Sequence, residues 1–449
     1  MYDLAIIGGG PAGYVAAERA GHKGLNVILF DKRDLGGVCL NEGCIPTKTL
    51  LYSAKILDNA RDGEKYGVSA KDVTFDFGKM MQRKNKVVKK LVGGVGLKMK
   101  ANKVTTVMEN AVIESRTNES IQIKSGTEVY NTKNLLICTG SEAFIPPIPG
   151  IQSGDPMTNR EILQLTELPK SLTVIGGGVI GIEFASLFTS LGVKVTVIEM
   201  LDEIIMGMDK ELAGMLRQEL VKKEVEIHLQ AKVVEVKGKD VFFEKEGKKQ
   251  SVTSDKLLVS TGRKPNIEGF GIEKLGVETF KGGIKIDKQC RTNIPNVYAA
   301  GDVTGFSLLA HTASREGEVA VNTILGKKDT MRYNAIPAVV YTNPEISGVG
   351  LTEEAANAKG IQYKIQSLPM AYAGRFIAEN EGKSGVCKVL VGGKYGEVLG
   401  VHMLGNPSSE MIYGAAMAIE AGLTVNDLEE VVFPHPTVSE IFKETIFTF

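Results

Sequence analysis

Residues 2–13 read YDLAIIGGGPAG, a short apolar run followed by glycines at the GxGxxG spacing. The Ala-rich segment 14–20 that follows predicts a helix, so strand, glycine turn and helix come in the order of a dinucleotide-binding βαβ unit. Gly8 permits the tight turn, Gly10 lets the backbone approach a pyrophosphate, and Gly13 lets the helix pack against the strand. The helix N-terminus then faces the anion.

A second apolar run, residues 26–30, ends at Asp31, placed to accept hydrogen bonds from ribose hydroxyls. The glycine motif alone is weak, because a chain with 51 glycines would contain about 0.65 accidental matches. The prediction therefore depends on what accompanies the motif.

The same unit occurs a second time, 168 residues further along. An apolar run at 172–175 precedes GGGVIG, with Gly176, Gly178 and Gly181 at the motif positions, and a later strand ends at Glu199. A repeated unit with matched context predicts two separate dinucleotide sites.

Between the two units, residues 36–48 read GGVCLNEGCIPTK and place Cys39 and Cys44 close together. With 5 cysteines in the chain, this spacing would arise by chance in about one chain in twenty. A disulfide that closes so small a loop adds little stability, so the pair is a poor structural staple and a good redox couple.

The length of 449 residues suits about three domains. A hydrophobic fraction of 43% is typical of a globular protein. Lys plus Arg equals Asp plus Glu at 53 each, which argues against nucleic acid or an anionic membrane as a partner of the whole chain. No apolar run approaches the ~20 residues of a membrane span, and no leader pattern precedes the first strand. We expect a cytoplasmic protein, which also suits the unpaired Cys138, Cys290 and Cys387.

The remaining chain contains strand ends that occur in both repeated units, followed by a third region without a glycine motif. The segments 135–140 and 256–263 are both apolar strands that end in Thr-Gly, and 297–302 is a strand that delivers Gly301 and Asp302. Helices are expected at 49–60 and 75–100, the second with Lys and Arg on one face. Beyond residue 328 we expect strands at 335–341 and 363–367, a hairpin at 385–404, and a helix at 409–421 with Ser409 as its cap.

These motifs, together with HPTVSE at 435–440, resemble the flavin-dependent pyridine nucleotide disulfide oxidoreductases over the whole chain. The resemblance implies an α/β fold with two Rossmann-like domains, for FAD and NAD, and a C-terminal α+β dimerisation domain. The implied segments are residues 1–148 (FAD, first part), 149–265 (NAD), 266–328 (FAD, return) and 329–449 (dimerisation). Within the family, CLNEGCIPTK and the short tail are most similar to the dihydrolipoamide dehydrogenases.

The resemblance also assigns roles. It implies that FAD is held by Gly8, Gly10, Gly13, Asp31, Lys48, Ala111, Thr139, Gly140, Gly301, Asp302 and Ala310. It implies that NAD is held by Gly176, Gly178, Gly181, Glu199, Val233 and Gly262, with Ile180 and Glu183 where the nicotinamide meets the flavin. Cys44 would face the flavin, Cys39 would exchange with substrate, and His435 with Glu440 would complete the site from the partner subunit of a homodimer. No metal is implied.

Two features depart from the family pattern or allow another interpretation. Thr47 stands where many relatives have Ser, and Phe433 with Pro434 differs from many relatives before the His. A thiol exchange needs a proton acceptor, and His435 with an acidic partner suits that task, but Thr437 and Glu440 also fit a capping box that starts the last helix. On the residues alone both interpretations of Glu440 stand.

Three alternatives differ in identifiable ways. Glutathione-type reductases share the dithiol but generally use NADPH, and Glu199 without a nearby Arg disfavours a 2′-phosphate. Mercuric reductases carry a further cysteine pair near the tail, and no cysteine follows Cys387 here. A non-catalytic flavoprotein scaffold would not need the dithiol. The resemblance implies that the partner is a lipoylated carrier, either the acyltransferase of a 2-oxo acid dehydrogenase complex or the H protein of glycine cleavage.

Overall fold

The chain folds into two units, each assembled from three separate segments, in a computed structural model that describes residues 1–449. Unit 1 contains Met1–Thr49, Lys79–Phe144 and Gly262–Arg332. Unit 2 contains Leu50–Gly78, Ile145–Thr261 and Tyr333–Phe449.

Most strands are short and belong to six sheets. The strands are β1 (Tyr2–Ile7), β2 (Val27–Phe30), β3 (Thr105–Val107), β4 (Ala111–Arg116), β5 (Ile121–Ser125), β6 (Glu128–Ile137), β7 (Ser141–Ala143), β8 (Ser171–Ile175), β9 (Lys194–Ile198), β10 (Glu226–His228), β11 (Ala231–Lys237), β12 (Asp240–Lys245), β13 (Lys248–Thr253), β14 (Lys256–Val259), β15 (Arg263–Pro265), β16 (Thr279–Phe280), β17 (Gly283–Ile284), β18 (Val297–Ala299), β19 (Ala338–Val340), β20 (Ile346–Gly350), β21 (Tyr363–Pro369), β22 (Val386–Gly392) and β23 (Val398–Leu404).

The α-helices range from four to 25 residues. They are α1 (Pro11–His22), α2 (Gly37–Asn41), α3 (Cys44–Arg61), α4 (Phe77–Ala101), α5 (Asn159–Ile162), α6 (Val179–Ser190), α7 (Lys210–Lys222), α8 (Ala310–Ile324), α9 (Glu353–Ala358), α10 (Gly374–Glu379), α11 (Ser408–Ala421), α12 (Val425–Glu429) and α13 (Glu440–Ile446).

Unit 1 is built on a seven-stranded mixed sheet in the order β3-β2-β1-β6-β5-β4, with β18 also paired to β6. β1 runs parallel to both β2 and β6, while β4, β5 and β6 form an antiparallel meander. All four residues of β2 are buried, as expected for a parallel strand covered on both faces. The carboxyl end of β1 therefore lies between two neighbours, where ligands bind in open α/β sheets.

Unit 2 contains a parallel sheet in the order β10-β9-β8-β14 and the antiparallel meander β11-β12-β13. Its C-terminal part is the five-stranded antiparallel sheet β19-β20-β23-β22-β21, against which α11 and α13 pack. That region has its own apolar core, which includes Met403, Ile412 and Phe442. The predicted fold class is therefore confirmed: α/β sheets, followed by a C-terminal α+β region.

Three predicted element boundaries were wrong. The helix expected from residue 49 begins at Cys44, so the second cysteine lies in its first turn. The strand expected at 335–341 covers only Ala338–Val340. The helix expected at 409–421 is α11, which begins at Ser408. The backbone N–H of Ser409 donates to the carboxylate of Glu345 at 3.0 Å. A side chain distant in sequence therefore supplies the acceptor that we expected from Ser409.

Two glycine substitutions test the packing in opposite directions. A methyl group on Gly93, in the exposed interior of α4, meets nothing, so Gly93→Ala should raise the free energy of unfolding by about 0.5–1 kcal/mol through helix propensity. A methyl group on Gly13 overlaps the carbonyl oxygen of Gly8, so Gly13→Ala should lower it. Urea unfolding of the two variants, followed by far-UV circular dichroism, checks both signs. A loss of stability in Gly93→Ala would contradict this account of α4.

Candidate active site

The first glycine turn joins β1 to α1 and leaves room at the helix N-terminus. Gly8 has φ +108°, and a Cβ on it would overlap the carbonyl oxygen of Cys138. A Cβ on Gly13 would likewise overlap the carbonyl oxygen of Gly8. By contrast, a Cβ on Gly10 has no neighbour closer than 3.9 Å, and no side chain caps the helix there. The turn therefore presents free backbone N–H groups to open space, which is what a pyrophosphate requires.

Asp31 follows β2 and fixes the conformation of this turn. One carboxylate oxygen accepts the N–H of Gly9 at 2.6 Å, and the other accepts the N–H of Arg33 at 2.8 Å. The acid is thus held at the edge of the turn, where it can also accept a ribose hydroxyl.

The second glycine turn, between β8 and α6, repeats these contacts. Gly176 has φ +104°, a Cβ on Gly181 would overlap the carbonyl oxygen of Gly176, and a Cβ on Gly178 meets nothing. Glu199 accepts the N–H of Gly177 at 2.5 Å and that of Leu201 at 2.7 Å. Each unit therefore contains one cradle that fits a dinucleotide phosphate.

Asp302 is held in unit 1 by two residues that sequence reasoning missed. Arg263 donates from Nε to the Ser141 hydroxyl at 2.7 Å and from a terminal nitrogen to the Ser141 carbonyl at 2.6 Å. The Ser141 hydroxyl donates in turn to Asp302 Oδ2 at 2.6 Å. Burial raises the pKa of Asp302, against the hydrogen bond from Ser141 and the charge of Arg263. The only sequence signal was an Arg directly after the second Thr-Gly strand end.

The other residues expected around the flavin lie in unit 1, after β6 and β18 or at the start of β4 and α8. Glu316 is fully buried and accepts the N–H of Gly301 at 2.6 Å. The hydroxyl of Thr139 donates to the carbonyl of Asn266 at 2.7 Å, and the N–H of Asn266 donates to the carbonyl of Gly140 at 2.9 Å. Ala310 is the first residue of α8 and half-buried, whereas Ala111 is buried in the sheet core.

The dithiol follows a glycine turn of unit 1. Gly36 and Gly37 both have positive φ, at +95° and +56°, and Gly37 packs against Gly10 of the first cradle. Cys39 follows in α2, and Cys44 opens the 18-residue α3, whose N-terminus stabilises a thiolate. Neither thiol is in a disulfide, and both are partly exposed. Lys48 lies one turn further along α3.

The two thiols interact directly. Hydrogen bonding to Cys44 raises the pKa of the Cys39 thiol, burial raises it further, and the charge of Lys48 opposes both. Cys39 therefore holds its proton more strongly than an ordinary thiol, and a nearby base would assist its exchange reaction.

Glu183, on α6 of unit 2, is a buried carboxylate. Its side chain is 3% exposed and accepts the N–H of Tyr341 at 3.1 Å. Ile180 lies one turn earlier on the same helix, and Val233 is half-buried in β11. Gly262, with φ +123°, follows the apolar strand β14, and a Cβ on it would meet nothing.

His435 and Glu440, in unit 2, form a hydrogen-bonded pair. Glu440 Oε1 lies 2.9 Å from His435 Nδ1, and its Oε2 accepts the N–H of Thr437 at 2.9 Å. The Thr437 amide and then His435 lower the pKa of Glu440. Both roles expected for Glu440 are therefore present. Its carboxylate accepts a backbone N–H of the turn before α13, and it orients the imidazole of His435, whose side chain is 79% exposed.

Two kinds of feature are absent from residues 1–449. No three His, Cys, Asp or Glu side chains are grouped as metal ligands. None of the helices combines the length and apolarity that a transmembrane segment needs.

Comparisons with known proteins cover the whole chain. The family model described as pyridine nucleotide-disulphide oxidoreductase matches residues 2–317, and the family's dimerisation domain matches residues 336–446. A dihydrolipoyl dehydrogenase of Bacillus subtilis is 39% identical over 98% of this chain and 95% of its own length. One from Geobacillus stearothermophilus is also 39% identical, with the same coverage.

Solved structures of similar proteins also match the whole chain. LpdA from Mycobacterium tuberculosis superposes with a TM-score of 0.92 at 26% identity, covering 100% of this chain and 99% of its own. The HOCl-induced flavoprotein disulfide reductase RclA from Escherichia coli gives 0.87 at 30% identity, covering 99% of each chain. With two glycine cradles, a paired dithiol and family models across both parts of the sequence, the chain belongs to the pyridine nucleotide-disulphide oxidoreductases, which use FAD and NAD.

Proposed function

We propose that this enzyme is a dihydrolipoyl dehydrogenase, which oxidises protein-bound dihydrolipoamide to lipoamide and reduces NAD to NADH. The observation that carries the proposal is the hydrogen-bonded pair of Cys39, in α2, and Cys44, at the start of α3. Relatives with this activity match the chain over nearly their full length.

The dithiol passes electrons from the substrate inward. A substrate thiolate attacks the Cys39 sulfur of the oxidised pair, and the disulfide bond breaks to leave a thiolate on Cys44. The second substrate sulfur then displaces Cys39, closing the lipoamide disulfide, so that the substrate loses two electrons and the pair gains them. His435, oriented by Glu440 and supplied by the partner subunit, accepts the substrate proton.

FAD supplies the chemistry that converts dithiol electrons into a hydride for NAD. We propose that it is held by Gly8, Gly10, Gly13, Asp31, Lys48, Ala111, Thr139, Gly140, Gly301, Asp302 and Ala310. Arg263 and Ser141 would act as positioning residues, since they hold the Asp302 carboxylate in place.

For NAD we propose Gly176, Gly178, Gly181, Glu199, Val233 and Gly262, with Ile180 and Glu183 beside the nicotinamide. The open space at Gly178 and the held carboxylate of Glu199 support these assignments. We further propose the division into residues 1–148, 149–265, 266–328 and 329–449, of which the last matches the dimerisation domain of a homodimer.

We propose that the partner is a lipoylated carrier, the acyltransferase of a 2-oxo acid dehydrogenase complex or the H protein of glycine cleavage. A cytoplasmic location is supported by Cys138, Cys290 and Cys387, which are buried free thiols. Turnover of dihydrolipoamide with NAD by the purified FAD-loaded enzyme tests the function. Reduction of glutathione disulfide at the expense of NADPH, with no lipoamide activity, would favour the glutathione-type alternative instead.

We expect the enzyme to prefer NAD clearly over NADP. Both oxygens of Glu199 face backbone N–H groups at the edge of the second cradle, so a 2′-phosphate there would meet a fixed carboxylate, which is unfavourable by several kcal/mol as a rough estimate. The ratio of kcat/KM for the two coenzymes measures the preference. Comparable values would disprove the role of Glu199.

A further inference from the structure

The long helix α4 concentrates positive charge on an otherwise neutral chain. It contains eight Lys or Arg residues and no Asp or Glu, whereas the whole chain has 53 of each sign. Neither cofactor cradle nor the dithiol accounts for this excess.

The charges share one side of the helix. At 100° per residue, six of the seven exposed cations fall within an arc of about 120°, and only Lys98 lies outside it. The buried Met81, Val95 and Met99 lie on the opposite side. We call this arc the α4 basic face, formed by Lys79, Arg83, Lys86, Lys89, Lys90 and Lys100.

The basic face repels itself. Lys86 is three residues from Lys89 and four from Lys90, spacings at which like charges destabilise a helix. Lys86, Lys89, Lys90 and Lys100 form no ion pair, although the neighbouring Lys98 pairs with Glu18 at 3.0 Å. These four lysines therefore carry charge that no acidic side chain of this chain pairs with.

The basic face also lies beside the dithiol helix. Arg83 donates from a guanidinium nitrogen to the carbonyl of Thr49 at 3.0 Å, and Thr49 lies on α3, five residues after Cys44. A macromolecule bound along α4 would thus be held next to the sulfurs that its substrate group must reach.

We propose that the α4 basic face is a docking surface for an acidic lipoyl-carrier protein. Charge complementarity would speed encounter and orient the carrier, while the pendant dihydrolipoyl group enters the site. The inference rests on the proposed function and adds the surface through which the protein substrate is recognised.

The test compares a protein substrate with a small one. The variant Lys86→Glu, Lys89→Glu, Lys90→Glu is assayed with free dihydrolipoamide, which is uncharged, and with an isolated dihydrolipoyl domain of negative net charge. We expect KM for the domain to rise about tenfold or more, with kcat/KM for free dihydrolipoamide within about twofold of the unaltered enzyme. Added NaCl should weaken domain turnover by the unaltered enzyme and have little effect on the variant.

A matched control carries the same change of charge elsewhere. Lys232→Glu, Lys245→Glu, Lys248→Glu alters the β11-β12-β13 meander of unit 2 and should leave both substrates unaffected. If the charge reversal on α4 impairs both substrates, the neutral variant Lys86→Gln, Lys89→Gln, Lys90→Gln decides, since it must still raise KM for the domain alone.

Three outcomes would count against this proposal or its premise. Unchanged domain kinetics in both α4 variants would overturn the docking surface. Unchanged domain kinetics combined with lost binding to phosphatidylglycerol vesicles would assign the face to an anionic membrane. No turnover of free dihydrolipoamide by the unaltered enzyme would contradict the proposed function instead, whatever α4 binds.

Discussion

His435→Gln should lower dihydrolipoamide turnover with NAD by roughly 10² to 10⁴. The substrate dithiol must lose a proton before it attacks Cys39, and the imidazole held by Glu440 at 2.9 Å is exposed and available to take it. The Cys39 thiol of the reduced pair also holds its own proton strongly. Without a base, both proton transfers depend on water.

The control for His435→Gln is the other half-reaction. Reduction of the bound flavin by NADH, followed by stopped-flow absorbance, should keep its rate because it does not use the imidazole. Glu440→Gln should lower dihydrolipoamide turnover by a smaller factor and likewise leave flavin reduction by NADH unchanged, since it weakens the hydrogen bond that orients His435. Equal losses in both half-reactions would show that His435 acts through the fold.

A mixed-dimer experiment tests which subunit supplies the base. Dimers that combine a His435→Gln chain with a Cys39→Ser chain contain one site with both groups intact if the base crosses the interface. Partial recovery of activity is then expected after subunit exchange. No recovery after verified exchange would assign His435 to the dithiol of its own chain.

Cys39→Ser should abolish dithiol turnover and retain a long-wavelength thiolate-to-flavin charge-transfer band. Cys44 lies at the N-terminus of α3 near Lys48, where a thiolate is stabilised, whereas the pKa of Cys39 is raised by its bond to Cys44. The remaining Cys44 thiolate should therefore still give the band on its own.

The complementary variant is Cys44→Ser, which should lack the charge-transfer band and also be inactive with dihydrolipoamide. Absorbance spectra of both purified variants, recorded from pH 5 to 9, distinguish the two sulfurs. If the band persisted in Cys44→Ser and vanished in Cys39→Ser, the order of the thiols would be reversed.

The sequence allowed the architecture to be predicted because its decisive contacts are local. Gly13 packs against Gly8, and Asp31 accepts the N–H of Gly9, all within one βαβ unit. The repeat around Gly176 reproduces both contacts. The pairing of His435 with Glu440 could also be predicted, because the two residues are only five positions apart in the sequence.

Contacts between distant segments could not be predicted in this way. Ser141 meets Arg263 across 122 residues and Asp302 across 161, and neither spacing leaves a periodic signal. The N-terminus of α11 is another example, because the acceptor for the Ser409 amide comes from Glu345. Sequence patterns predicted which residue types matter and missed the partners that hold them.

The bonds of Glu199 have a consequence for redesigning the coenzyme preference. Its carboxylate is an internal brace of the turn, since it accepts the N–H groups of Gly177 and Leu201. A replacement such as Glu199→Ala would leave both N–H donors without an acceptor, and Glu199→Gln would leave one of them without, so either would loosen the turn. Successful engineering would have to graft the whole turn and its substitute acceptors, because a single exchange removes the support together with the selectivity.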